Sequence, residues 1–389
     1  NSNLLLYYCL IKWNIVENLS MKVSIIMPVY NEEATLLTIL QKVQKAPLDG
    51  IDEREIIVVN DGSSDKSADL LNSIKNSSIK VLHHNKNRGK GAAIRTGFSQ
   101  VTGDIILIQD SDLEYDPEEY SKLLKPILDN KADVVFGSRF VGDAPHRVLY
   151  YWHYLVNKFL TFVSNLFSDL NLTDMEVGYK VFRRNVITEL QIEENRFGFE
   201  PEITAKVGQL AREKKIRVYE VGISYSGRTY DEGKKITSKD ALRALWCIFY
   251  YNTSLTARIS KYVLMGGVVA LSQLISIFLF VEYFGYIAQE QQAFANIVSI
   301  LISLVVAFFL HAFITWSYKF YNKSDIFKRV VLFYIISGIS LWVRIQLYEY
   351  FYLLGFHYFV NTLFGILAAI IINFFGYDNI VFVKKSKSK

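Results

Sequence analysis

A chain of 389 residues with a formal net charge of +5, 51% hydrophobic and 15% aromatic residues has room for two or three domains. It carries more apolar content than a purely soluble protein needs, and the excess concentrates after Lys261, so a soluble part precedes a membrane part. Cys9 and Cys247 stand far apart outside any C-x-x-C pattern, the histidines have no ligand spacing and the basic residues form no nucleic-acid motif; this excludes a disulfide framework, a zinc site and a nucleic-acid partner.

Residues 1–20 are apolar and aromatic, begin without Met, and lack a small-residue cleavage site. Met21 directly precedes the first strand, so 1–20 read as an upstream extension, or as a short interfacial segment. From there strands at 23–27, 55–60, 79–83, 105–109 and 133–137 alternate with helices at 33–45, 64–75, 91–100 and 117–129. That alternation predicts βαβ units and a mostly parallel sheet. Ligands of such sheets sit at the carboxyl ends of the strands, here the loops 28–33, 61–65, 85–91, 110–114 and 138–147.

The 105–109 strand ends in Asp110-Ser111-Asp112, with Glu114 two residues on. Carboxylates this close raise one another's pKa unless a cation neutralises them. Hard oxygen donors suit Mg²⁺ or Mn²⁺, metals that accompany phosphates. A lone D-x-D is more often a solvated acidic turn; the neighbouring loops change that balance. The first βα turn has no G-x-G-x-x-G, which argues against a dinucleotide site. Asp61 can accept hydrogen bonds from a base or ribose while Gly62 permits a tight turn, the plain alternative being a helix capped by Ser63 or Ser64. Asn87-Arg88-Gly89-Lys90-Gly91 brings two glycines and two cations to a helix start, which suits a phosphate or ribose as well as a solvated basic turn.

Taken in order, P-V-Y-N-E-E at 28–33, V-V-N-D-G-S-S-D at 58–65, N-R-G-K-G at 87–91, Q-D-S-D-L-E at 109–114, G-S-R-F at 137–140 and G-R-T-Y-D-E-G-K-K at 227–235 make residues 22–235 resemble the family 2 glycosyltransferases of GT-A fold. They look most like polyprenyl-phosphate sugar transferases, the relatives of dolichyl-phosphate mannose and glucose synthases. The resemblance implies an α/β GT-A nucleotide-diphospho-sugar transferase fold and a set of roles. Pro28, Tyr30, Glu32 and Asp61 would hold the nucleoside, with Lys90 near the nucleotide. Asp110, Asp112 and Glu114 would surround a divalent metal, Mg²⁺ or Mn²⁺, bridging the diphosphate; the mannose-synthase relatives often have Gln where Glu114 stands. Arg139 would meet the acceptor phosphate, with Arg147 a second candidate, and Arg228 and Lys235 would close on the donor diphosphate. Asp110, Asp112, Arg139 and Arg228 form the implied catalytic set. The implied reaction is inverting transfer of glucose or mannose from UDP-glucose or GDP-mannose to a dolichyl or undecaprenyl phosphate. An ionised phosphate acceptor needs orientation more than a base. A hydroxyl acceptor would need a base, for which Glu202 is the candidate, while Asp174 is expected to shape the acceptor side by hydrogen bonding.

Residues 148–163 carry an apolar stripe at helical spacing flanked by Tyr150, Tyr151, His153, Tyr154 and Lys158, which suits a helix lying in the membrane interface or one packed on the sheet. Residues 242–251 repeat the theme. Four apolar stretches follow at 262–281, 293–316, 330–354 and 358–383, each long enough to cross a hydrocarbon core of about 30 Å. The expected division is 1–20, a transferase domain over 21–240, an interfacial helix or linker over 241–260 and a transmembrane domain over 261–389. Lys and Arg gather before the first span, between the second and third, and in the tail, and are missing from the other two loops. The positive-inside rule then makes this an integral plasma-membrane protein with its transferase domain and carboxyl terminus cytosolic. The ends of spans two and four, Phe308 to Trp316 and Asn373 to Phe382, run from an aromatic cluster through polar residues to a terminal aromatic. This resembles the four-helix GtrA-like domain, although the basic residue often seen in each segment is absent. The helices are expected to anchor the enzyme and are compatible with a homo-oligomer. Arg344, inside span three, is expected to find an ion pair with Glu349 or Glu282, or a lipid phosphate.

Three other readings are open: transfer to another glycan or lipid acceptor in cell-surface polysaccharide synthesis, a processive synthase, and a lipid-sugar flippase or adaptor with a retired transferase domain. Against the second, 242–246 lacks Q-x-x-R-W; against the third, Asp110, Asp112, Arg139 and Arg228 are intact.

Overall fold

The computed structural model describes residues 20–142, 147–148, 150–214, 216–228, 238–285 and 289–383. The chain divides into two compact units, Asn1–Asn252 and Thr253–Lys389.

The first unit is built on a seven-stranded sheet. Strands β1 (Lys22–Val29), β2 (Glu53–Asn60), β3 (Ile79–His83) and β4 (Ile105–Ile108) run parallel in the order β3-β2-β1-β4. The Ile/Val-rich strands β1, β2 and β4 are buried on both faces, as parallel strands between helical layers require, while the edge strand β3 buries only Ile79. Helices α1 (Leu36–Lys45), α2 (Ser67–Asn72) and α3 (Lys90–Phe98) connect them. The first starts three residues later than the apolar pattern predicts, because Glu32 is drawn into the site described below while its carbonyl accepts Leu36 N. A 3₁₀ turn (Pro117–Glu119) capped by Asp116 leads into α4 (Tyr120–Leu128) and then β5 (Val134–Ser138).

The sheet departs from the expected parallel pattern beyond β4. Strand β6 (Lys180–Arg183) is inserted between β4 and β5 and runs antiparallel to both, while β7 (Val218–Gly222) extends the sheet parallel to β5. The reversal of β6 has a direct consequence. It brings the residues just before β6, Asp174 to Tyr179, to the edge where β4 and β5 end. Helices α5 (Tyr151–Ser168), α6 (Arg184–Glu189), α7 (Phe199–Lys214) and α8 (Ser238–Tyr251) complete the unit, with α8 packed on α5 and α7. The segment expected as a linker from 241 therefore belongs, up to Asn252, to the first unit. Helix α5 buries Leu160, Ser164 and Phe167, while Tyr151, Trp152, Leu155, Phe159, Phe162 and Leu166 form an exposed apolar face.

Among its described residues the second unit has four helices long and apolar enough to cross a membrane. Helix α9 (Leu255–Phe278) continues into a π-helical turn, Leu279–Tyr283; α10 (Gln289–Leu310) ends in another, His311–Thr315; α11 (Lys323–Leu353) is followed by α12 (Tyr358–Gly376), which ends in a third, Tyr377–Val381. The ends of spans two and four meet: Trp316 stacks on Phe382 with centroids 5.1 Å apart, and its Nε1 donates to Asp378 at 2.7 Å. Arg258 pairs with the same carboxylate. Arg329 bonds Asp325 at 3.2 Å and the Val381 carbonyl at 2.6 Å. Arg344 makes no ion pair among the described residues; it is exposed, with its stem against Gly365, so the intramolecular pair with Glu349 or Glu282 does not form. Span three turns Arg344 and Glu349 in different directions, since residues five apart on a helix do not share a face.

Candidate active site

Strand β4 ends where four loops converge. Its last residues deliver Gln109, whose Oε1 accepts the hydroxyls of Tyr120 at 2.6 Å and Tyr179 at 2.7 Å, fixing the strand's end on the core. The next residue, Asp110, lies against the loop before β6 so closely that a Cβ at position 178 would come 2.3 Å from its Oδ2. Gly178 is therefore required by space. Lys90, at the start of α3, reaches Asp110 at 2.9 Å and Glu200, in the first turn of α7, at 2.8 Å. Burial works against the Lys90 charge, but Asp110 and Glu200 outweigh it and hold its pKa well above the ordinary lysine value.

Asp112 and Glu114 are met by a second cation. Arg228 reaches Asp112 at 2.9 Å, Glu32 at 3.2 Å and Glu114 at 3.5 Å, and its backbone N–H donates to Glu114 Oε1 at 2.9 Å. The other oxygen of Glu114 accepts the Tyr225 hydroxyl at 2.8 Å. Five carboxylates, Glu32, Asp110, Asp112, Glu114 and Glu200, thus share Lys90 and Arg228. Burial, with the charges of Asp110 and Glu114 adding to it, pushes Asp112 up to about 7 against the pull of Arg228.

A third ionic group lies at the end of β5. Arg139 forms a fork with the fully buried Asp174, Nε to Oδ2 at 2.6 Å and Nη2 to Oδ1 at 2.7 Å. Its guanidinium carbon sits 5.0 Å from the centroid of the Tyr225 ring. Burial opposes the Arg139 charge, yet Asp174 holds its pKa well above the ordinary arginine value. Glu220 of β7 accepts Thr173 N at 2.8 Å and Asp174 N at 3.2 Å, which fixes the loop carrying Asp174. Next in that loop, Glu176 has a buried Oε1 without a hydrogen bond among the described residues; burial and the charge of Glu200 push it up to about 8.

The structure thus gathers Glu32, Lys90, Asp110, Asp112, Glu114 and Arg228 into one network, with Arg139 linked through Tyr225. Other expected residues have different surroundings. Asp61 is buried and its carboxylate is occupied within the protein: it accepts Arg88 N at 3.0 Å, Gly89 N at 2.6 Å and pairs with His84 Nδ1 at 2.6 Å. It shapes the N-R-G-K-G loop, in which Gly89 has φ +100° and would bring a Cβ 2.2 Å from the Asn195 carbonyl. Pro28 contributes its carbonyl to Ser111 Oγ at 3.0 Å, and Tyr30 is 37% exposed beside them. Arg147 donates from its guanidinium to the Gly227 carbonyl at 2.9 Å and from its backbone to Tyr225 O at 2.8 Å, so it holds the segment before Arg228. Lys235 lies outside the described residues. Glu202, the candidate base, is fully buried, accepting Glu193 N and Glu194 N at 2.7 Å each and Lys206 at 2.5 Å; it stabilises a turn and is not open to a substrate. Among the described residues no group of three or more acidic, His or Cys side chains is arranged to hold a metal, because Lys90 and Arg228 occupy the carboxylates of 110–114. Glu200 and Tyr225 were missed from the sequence. Glu200 could have been found from its place two residues before Glu202, and Tyr225 from its place three residues before Arg228.

Two family models match the chain: glycosyl transferase family 2 over residues 24–191 and the GtrA/DPMS transmembrane domain over residues 261–382. The chain is 28% identical over 356 residues to a dolichol-phosphate mannosyltransferase of Pyrococcus furiosus, covering 90% of this chain and 96% of that one. It is 29% identical over 254 residues to an undecaprenyl-phosphate 4-deoxy-4-formamido-L-arabinose transferase of Yersinia enterocolitica, covering 64% of this chain and 73% of the other. Among solved structures, glucosyl-3-phosphoglycerate synthase of Mycobacterium tuberculosis, crystallised with Mn²⁺, UDP and glucosyl-3-phosphoglycerate, aligns over 60% of this chain and 80% of its own with 19% identity and a TM-score of 0.46.

Proposed function

We propose that this chain, a family 2 glycosyltransferase of GT-A fold carrying a GtrA/DPMS transmembrane domain, transfers a hexose, glucose or mannose, from a nucleotide-diphosphate sugar to a polyprenyl phosphate, with inversion. The observation that carries this reading is the pairing of a carboxylate-rich donor side with a largely buried arginine, Arg139, while Glu202, the carboxylate expected as a base, is closed off by its own partners. A phosphate acceptor is already ionised at neutral pH and calls for a cation to orient it, whereas a hydroxyl would call for proton removal. The names of the Pyrococcus and Yersinia relatives support the same acceptor class.

The donor set of Asp110 and Asp112 fits Mg²⁺ or Mn²⁺: the oxygens are hard, and burial with the charges of Asp110 and Glu114 raises Asp112 to about 7 even beside Arg228, so a further cation would favour its ionised form. Such a metal, when bound, would neutralise charge on the donor diphosphate. Glu114, with both oxygens engaged by Arg228 and Tyr225, contributes by holding Arg228. Arg228 would turn from its carboxylates to the departing diphosphate, stabilising charge that grows in the transition state. Arg139, fixed by Asp174, would orient the acceptor phosphate. The exposed apolar face of α5 and the four apolar helices suit catalysis at a bilayer surface, and the positions of Lys and Arg favour its cytosolic side, at the plasma membrane.

The test is a transfer assay in detergent with labelled UDP-glucose or GDP-mannose, a short polyprenyl phosphate and Mg²⁺ or Mn²⁺. Organic-phase label from one donor, abolished by EDTA, is the expected result. Donor binding without a lipid product from either sugar would overturn the acceptor or the sugar named here.

A further inference from the structure

Tyr225 follows β7 and is 4% exposed. Three of its groups reach three different parts of the site. Its hydroxyl donates to Glu114 Oε2 at 2.8 Å, its ring lies under the Arg139 guanidinium at 5.0 Å, and its carbonyl accepts Arg147 N at 2.8 Å. The chain on either side is tied to the same neighbours. Ser224 is bonded through its backbone and hydroxyl to Glu119 at 3.0 Å, Ser226 N donates to the Glu114 carbonyl at 3.0 Å, and Arg228 N donates to Glu114 Oε1 at 2.9 Å. Glu114 therefore turns one oxygen to Tyr225 and the other to Arg228, and neither bond is independent of the other.

We propose that Tyr225 is a positioning residue that couples the two arginines of the site: through Glu114 it sets Arg228 on the donor side, and through its ring it sets Arg139 on the acceptor side. The roles of the two sides rest on the function proposed above. The two couplings use different chemistry. A phenol hydroxyl on a carboxylate is a charge-assisted hydrogen bond that fixes one carboxylate rotamer. A guanidinium over the ring face is a cation–π contact, which needs the ring and not the hydroxyl. Burial and the Glu114 charge raise the phenol far above the ordinary tyrosine range, against the opposing pull of Arg139 on the same hydroxyl, so it remains a neutral donor. Phe removes the hydroxyl and keeps the ring, and Leu removes both, so the pair grades the loss of the two links.

The experiment measures kcat, both KM values and thermal midpoint for wild type, Tyr225→Phe and Tyr225→Leu, with calorimetric affinities for UDP or GDP with Mn²⁺ and for a short polyprenyl phosphate in parallel. Tyr225→Phe keeps the ring and loses the hydroxyl; kcat should fall about 10-fold and donor affinity weaken, with the acceptor KM changing by less than about 2-fold because the ring under Arg139 is kept. Tyr225→Leu loses both links, so the acceptor KM should also rise, by about 5-fold. Two results would overturn the coupling: Tyr225→Phe indistinguishable from wild type, or both variants losing stability while keeping wild-type affinities on both sides. A different acceptor would appear instead as wild-type enzyme that yields no lipid product, and the nucleotide affinities then still decide the donor half.

Discussion

The two units handle buried charge in opposite ways. In the second, Arg258 meets Asp378, which also takes the Trp316 indole, and Arg329 has Asp325 and two carbonyls, so cation and anion are matched within a shell of aromatic rings. In the first, five carboxylates gather around two cations among the described residues, and burial together with the charges of Asp110 and Glu114 raises Asp112 to about 7. A matched cluster is a fastener, because breaking it strands one charge in an apolar setting. An unmatched cluster is a receptor, because it loses stability when empty and regains it when a further cation or a cation-bearing ligand arrives. The same kind of substitution should therefore have opposite effects on stability in the two places.

Asp112→Asn tests the unmatched side and should have the largest effect. Transfer should fall by about 1000-fold or more if Asp112 helps hold the metal and Arg228. The stability of the donor-free, metal-free protein should move the other way. The carboxyl of Asp112 has an ordinary value of 3.8 and is raised to about 7 in the fold, so the folded state holds its proton more tightly than the unfolded chain does. Its ionisation costs stability increasingly between those values, and the full cost is present above pH 7. Asn should thus raise the thermal midpoint at pH 8 and leave it nearly unchanged at pH 4. A lower midpoint at pH 8 would mean that Arg228 already balances the site.

Arg258→Leu tests the matched side. It should cost about 3–5 kcal/mol by leaving Asp378 without its cation, and Arg258→Leu with Asp378→Leu should recover most of the loss. Equal losses in the single and double variants, followed by thermal unfolding in detergent, would show that Arg258 acts through its packing rather than through its charge on Asp378.

Much of the first unit was legible because the signals are local. Short apolar runs alternating with amphipathic stretches gave the first five strands and the loops at their carboxyl ends, where Asp110, Asp112 and Arg139 are found; Arg228, beyond β7, was visible only through the G-R-T-Y-D-E-G-K-K motif. Strand β6 was not legible: four residues, Lys-Val-Phe-Arg, run straight into a helix, and their antiparallel insertion between β4 and β5 depends on pairing between distant segments. With it went the reason for Gly178 and the nearness of Asp174 to Arg139. Glu200 and Tyr225 stayed hidden because a carboxylate in a helix's first turn and a tyrosine after a strand have ordinary uses as a cap and as core. In the second unit the aromatic endings of spans two and four were visible, but the partnership of Arg258 and Asp378, 120 residues apart, was not.

Glu202→Gln sharpens the comparison inside the first unit. Glu202 is buried yet matched, holding Glu193 N, Glu194 N and Lys206, so the substitution should lower stability by about 1–3 kcal/mol and leave kcat within about 2-fold. A 100-fold loss of kcat at unchanged fold would make it a catalytic base and would point to a hydroxyl acceptor.

The smallest effect on transfer is expected at Glu55, far from the site loops, and it separates burial from mismatch as the cause of the Asp112 shift. Glu55 is partly buried, and burial alone would raise its pKa. Instead it falls to about 2, because the Ser24 hydroxyl and the backbone and hydroxyl of Thr102 converge on it, with Lys22 at 3.4 Å. A depressed pKa gives stability that is complete above the ordinary value of 4.5 and is lost as pH falls through about 2. Wild-type protein should therefore lose stability between those values, and Glu55→Gln should lack that part of the acid slope. The variant should differ little from wild type in the shape of its profile above pH 5. Should the Gln variant keep the full acid slope, the donors around Glu55 do not set its ionisation. Balanced partners would then not be what distinguishes it from Asp112, and the contrast between fastener and receptor would have to rest on the depth of burial alone.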